Sequence, residues 1–272
     1  MTNPPTTPLT TESSRTSASR AARATPPSPW IATLPADARG FHIPAETPWD
    51  DGQPRLSKVG VRNKTALGLI RSCAVRGYFL KLGEPVFRAF SQADAAAIRV
   101  DQRELTWDMS GPAHRSCMLY SALVCPYLRE PTAKLGQDTR YEPGARRGRL
   151  AAVMGFDDAA MLIHDGPHEF LSDAAPLPQF AYRGLTEDIK YRHGADLLEQ
   201  FDVAVEADRP NVDLSQNQHY WTADDNEALN ELLISGWEEL GAATPAGRMR
   251  TPEDRYAIFT IPRLGPAASQ QP

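Results

Sequence analysis

The chain is short of cysteine, of positive charge and of long apolar runs, and each shortage narrows what it can be. Three cysteines in 272 residues cannot all pair within one chain. They do not suit a disulfide scaffold, so a reducing, cytoplasmic setting is expected. No apolar stretch approaches the roughly 20 residues that span a bilayer. The N-terminus also lacks the charged-then-apolar order of a secretory leader, and no membrane association is expected. Lys and Arg number 29 against 34 Asp and Glu, a formal charge of −5. That balance does not favour a nucleic-acid binder, whose affinity comes largely from basic surface, although it leaves room for a local basic patch. There is no G-x-S-x-G, P-loop or G-x-G-x-x-G motif, and no internal repeat. Hydrophobic residues make up 41%, below the roughly 45–50% of a typical globular domain. The deficit sits mainly near the N-terminus, so the remainder can bury a core.

What is present divides into zones. Residues 1–29 are rich in Thr, Ser, Ala, Pro and Arg, with Glu12 as the one acid. They mimic a transit peptide but have too few bulky apolar residues for an amphipathic face, and a disordered arm is expected. Residues 30–64 are turn-rich and read as an extended lead-in. The span 30–131 holds all three cysteines, 132–147 reads as a basic linker, 148–262 as a mixed α+β unit and 263–272 as a fraying tail. In the second unit "GRLAAVMGF" predicts a strand, "DD" a turn and "AMLIHDG" its hairpin partner. "EDIKYRHG" predicts another strand, "ADLLEQFDVAVEAD" a helix, and Thr222 the N-cap of a helix to about Leu240. "RYAIFTIP" predicts a closing strand that Pro262 ends.

The chemistry-bearing stretch is "GPAHRSCMLYSALVCPYL" at 111–128, with "CAVRG" at 73–77 upstream. Pro112 suits a first helical turn, and Pro126 should stop the helix near Cys125. On that helix His114 and Cys117 share a face and can grip one metal ion. Cys125 lies roughly 12 Å farther along the axis at 1.5 Å per residue. It can share neither a metal nor a disulfide with Cys117, and it reads as a buried small apolar residue. "CAVRG" has the shape of a C-x-x-C-G knuckle with Arg76 at the second cysteine, and Gly77 supplies the positive φ that such a turn needs. "YFLKLG" and "PVFRAF" are expected to pair as a hairpin. A knuckle, a hairpin and a helix bearing two ligands follow the order of a treble-clef zinc finger.

Residues 37–131 resemble a group of small uncharacterised zinc-finger-like proteins of actinobacteria and their phages. The features that carry the resemblance are "DARGFHIP", the knuckle "CAVRG", "HRSC" and "ALVCPYLREP". No activity comes with it. The resemblance implies a zinc site with Cys73, His114 and Cys117 at three of four ligand positions. Arg76 stands where the fourth should be, and a guanidinium is permanently charged and cannot ligate. Water, Asp108 or the acids near Asp101 are candidates to complete the shell. The reading favours a metal-free, degenerate finger held by packing and by Arg76, with bound Zn2+ as the alternative and a Cys73–Cys117 redox pair as a third.

Other candidates read as structural. His164, Asp165 and His168 flank Gly166 and Pro167, so they mark a loop rather than a helical metal motif. His193 belongs to a strand-to-helix turn, His219 to a surface aromatic cluster, and His42 has no assigned role. Arg146, Arg147 and Arg149 are the candidate anion or nucleic-acid contact, although the run lacks the aromatics of a single-strand platform. The expected fold class is α+β: a degenerate treble-clef-like zinc-finger module plus a mixed α/β unit. The expected function is a non-catalytic interaction or scaffold protein, with an unknown macromolecular partner, a protein for preference. The alternative is a zinc-dependent or nucleic-acid-processing protein that uses an open three-ligand site.

Overall fold

The computed structural model describes residues 26–56, 58, 60–100, 105–108, 110–133, 146–164, 179–209, 215, 217–243, 249–250 and 256–260. Its architecture is mixed α+β. The expected arm up to residue 25, most of the basic linker, residues 165–178 with Asp165 and His168 of the expected loop, and the tail lie outside the described residues.

A long antiparallel pair organises the sheet: β5 (Ala151–His164) against β6 (Gln179–Tyr191), with a register shift at Gly155/Phe156. The free edge of β5 is shared. β3 (Val86–Phe90) pairs with residues 152–156 and β8 (Tyr256–Thr260) with 160–164. β4 (Leu105–Asp108) pairs with the outer edge of β6, and β7 (Met249–Arg250) with β8. β1 (Trp49–Asp50) and β2 (Gln53–Pro54) form a separate small hairpin. Ala151, Ala152, Val153 and Met154 are fully buried in succession. A strand packed on both faces reads as such a continuous apolar run rather than an alternation.

Among the helices, α1 spans Val61–Leu69, α2 Gln92–Val100, α3 Arg115–Val124, α4 Pro126–Arg129, α5 Leu198–Asp208 and α6 Asn226–Ala243. In α3 only Arg115 and Ser121 escape burial, which makes it the central helix. Two forked ion pairs clip helices to β6. Arg99 of α2 grips Asp188 through two contacts of 2.7 Å, and Arg115 of α3 grips Glu187 at 3.0 and 2.6 Å. Bidentate guanidinium–carboxylate pairs fix direction as well as distance.

Residues from the two expected units, 30–131 and 148–262, share this one sheet and one hydrophobic core that runs from Trp30 to Leu233. "DD" at 157–158 is not a turn, because β5 runs through it. Asp158 holds its place in the strand through Arg71 at 3.0 Å and Arg183 at 2.9 Å, partners that lie far away in sequence. The expected 78–90 hairpin is also replaced, since β3 finds the edge of β5. Pro112 lies outside α3, and the N-cap is His114. The helix expected after Thr222 forms: the Thr222 hydroxyl and Asp225 carboxylate complete a capping box ahead of α6, the reciprocal arrangement that satisfies the free N–H groups of a helix start. No described helix is long and apolar enough to cross a membrane.

Candidate metal centre

The knuckle is a tight loop. The Cys73 N–H donates to Tyr78 O at 2.8 Å and the Gly77 N–H to Cys73 O at 2.8 Å, while Ser72 bridges Phe79. Gly77 turns the chain at φ 73°, a conformation that costs little without a Cβ. The entry to α3 is stitched onto this loop. The Ala74 N–H donates to Pro112 O at 2.9 Å, and Ala113 exchanges hydrogen bonds with Phe87 of β3. Backbone pairing therefore carries His114 and the first turn of α3 to the knuckle before any side chain is considered.

The donor atoms of Cys73, His114 and Cys117 all lie within 4.8 Å of one another, so the group can hold a metal ion. Both cysteines have no exposed surface. The Nε2 of His114 lies 3.2 Å from Phe79 O. A carbonyl only accepts, so Nε2 carries the proton. Nδ1, which is buried and has no hydrogen-bond partner, is then left as the donor atom. A backbone carbonyl on the far ring nitrogen is how ligating histidines are commonly oriented.

The two thiols differ although they touch. Burial opposes ionisation of both. At Cys73 the Cys117 hydrogen bond, His114 and the Arg76 charge outweigh burial and hold the thiol well below its ordinary range. Burial together with the hydrogen bond and charge of Cys73 pushes Cys117 well above it. The pair thus favours one thiolate, at Cys73. Asp208, which accepts from the Ser116 N–H at 3.1 Å and from the Ser116 hydroxyl, also works against ionisation of Cys117.

Arg76 is 2% exposed and lies between two rings, 5.5 Å from the Trp30 centroid and 5.8 Å from that of Tyr78. Its Nε and Nη1 have no hydrogen-bond partner. A strap from the far end of the chain covers the loop: Gln218 Nε2 donates to Arg76 O at 2.8 Å and the His219 N–H to Gly77 O at 2.9 Å. His219 stacks on Trp221 at 6.1 Å. Burial holds the His219 imidazole below its ordinary pKa. The strap is not legible in the sequence, since a run such as "NQHYW" carries no mark of where it docks.

The structure brings together the three proposed ligands with Arg76. It does not bring Cys125 to them. That residue is half-buried rather than buried as expected, and it ends α3 and precedes α4. The Asp108 side chain and Asp101 lie outside the described part. His42 and His193 hold local structure: His42 Nδ1 lies 3.2 Å from Leu34 O, and His193 caps a short 3-10 turn and meets Glu130 at 2.9 Å.

The expected arginine surface is corrected by the structure. Arg146 and Arg149 are exposed, whereas Arg147 is 1% exposed. Its Nε donates to Glu130 O at 3.0 Å and its Nη2 to Arg192 O, and its guanidinium lies 4.9 Å over the Tyr191 ring. Arg147 is a strut between neighbouring segments, withdrawn from any solvent anion. No family model, no curated protein and no solved structure matches the chain.

Proposed function

We propose that the chain is a non-catalytic scaffold for a macromolecular partner, in which Cys73, His114 and Cys117 of a degenerate treble-clef-like module hold one metal ion. The ion pins the knuckle to α3. The observation that carries this reading is convergence under burial: two thiols and an imidazole with donor atoms within 4.8 Å, both cysteines wholly shielded from solvent. Catalytic metals keep an open position for water and substrate, and structural ones are closed. The shielding therefore supports a structural role over a metal-activated water. Zinc is the occupant that the knuckle resemblance implies. A protein partner is favoured over nucleic acid by the net charge of −5.

The test is metal content by mass spectrometry on protein purified without a His-tag or chelator, with Cys73→Ser alongside. About one equivalent of metal is expected in the parent and none in the variant. The variant should also melt earlier, because a ligand at about 1,000 times its Kd contributes about 4 kcal/mol. Metal-free parent protein, or a melting curve that Cys73→Ser leaves unchanged, would sink the proposal.

A further inference from the structure

We infer that the Cys73–His114–Cys117 pocket is built for a soft monovalent cation, cuprous copper, in a three-coordinate shell, with Arg76 supplying a counter-charge in place of a fourth ligand. This rests on the metal-site reading above and names its occupant.

Charge is the first argument. Two thiolates bring −2 to the pocket and His114 brings none as a neutral ligand. Zn2+ would cancel the thiolates and leave Arg76 as an uncompensated cation at 2% exposure, a costly arrangement in a low-dielectric interior. A monovalent ion leaves one negative charge on the metal–thiolate unit, which Arg76 neutralises. The Nε and Nη1 of Arg76 have no hydrogen-bond partner, and its ring contacts with Trp30 and Tyr78 do not neutralise it. An anionic metal–thiolate unit keeps beside Arg76 the negative charge that a divalent ion would cancel.

Coordination number is the second. Structural zinc is almost always four-coordinate. Among the described residues three donors converge, and the knuckle position that would furnish a fourth is occupied by a side chain that cannot ligate. Cuprous ion is a closed-shell d10 cation satisfied by two or three soft donors, and thiolates select for it. The fixed His114 tautomer, with Nε2 held at Phe79 O, leaves Nδ1 ready as the third donor. Copper enters and leaves as Cu(I), so no electron is transferred. Any thiol proton displaced on binding passes to solvent.

The experiment uses the full-length apo protein under anaerobic conditions. It is titrated with Cu(I) buffered by a chromophoric chelator and, separately, with Zn(II), and the copper-loaded form is examined by X-ray absorption. One equivalent of Cu(I) is expected, with a shell of two sulfurs and one nitrogen. Any thiol cluster prefers Cu(I) to Zn(II), so the decisive number is how that preference changes on mutation. Arg76→Gln should shift selectivity at least tenfold toward zinc, and Arg76→Cys, which restores C-x-x-C, should bind zinc four-coordinately. A fourth ligand on copper, or an unchanged selectivity in Arg76→Gln, overturns the occupant and leaves the metal site standing. Failure to bind either ion overturns the metal site as well. Should Arg76→Gln not fold, the coordination number of the parent still decides.

Discussion

Arg76 and Arg147 are buried almost equally, at 2% and 1% exposure, yet their surroundings differ in kind. Arg147 gives two of its nitrogens to the carbonyls of Glu130 and Arg192, leaves Nη1 without a partner and lies over Tyr191. Arg76 has Trp30 and Tyr78 beside it, no partner for Nε or Nη1, and two thiols that feel its charge. The first is a buried cation dissolved in backbone dipoles. The second is a buried cation set beside ionisable thiols. Burial alone therefore does not separate a strut from a site; the character of the compensation does.

The largest effect that would sharpen the contrast is expected at the strut. Arg147→Met removes two hydrogen bonds that the guanidinium donates to Glu130 O and Arg192 O, and bonds from a charged donor are worth about 1.5–3 kcal/mol each. A loss of about 3 kcal/mol is expected by urea denaturation, and a loss under 1 kcal/mol would break the contrast from that side. Gly77→Ala comes next. A Cβ there would lie 2.1 Å from the His219 carbonyl oxygen, on a backbone at φ 73°. About 2 kcal/mol should be lost, and limited proteolysis should cut at 217–221 sooner as the strap lifts from Arg76. The smallest effect belongs to Arg76→Met in metal-free protein. The substitution removes a buried charge, and Cys73 can keep its proton in response, so a change within about 1 kcal/mol is expected. A loss as large as that of Arg147→Met would show that Arg76 is a strut too.

Locally encoded features were legible. The H-x-x-C spacing places His114 at the N-cap and Cys117 in the first turn of α3, because three residues nearly complete a helical turn. "CAVRG" closes a loop around Gly77. Thr222 caps the turn that leads into α6. The illegible features have distant partners. Asp157–Asp158 reads as a turn until Arg71 and Arg183 are known to meet Asp158. "PVFRAF" reads as half of a local hairpin until the edge of β5, some 65 residues away, is there to receive it. Arg147 reads as surface until its two carbonyl acceptors arrive from separate segments.

The sequence by itself determined the three candidate donors, the helix start that carries two of them and the guanidinium at the second knuckle position. All of these depend on spacings of a few residues, where φ, ψ preference and helical periodicity suffice. Tertiary structure alone decided that the donors converge to within 4.8 Å, that the strap at 218–219 shuts over Arg76 and Gly77, and that Arg76 ends with rings rather than acceptors around it. Those facts follow from contacts between segments as much as 142 residues apart, and the energy of a buried charge is set by whatever such contacts bring beside it.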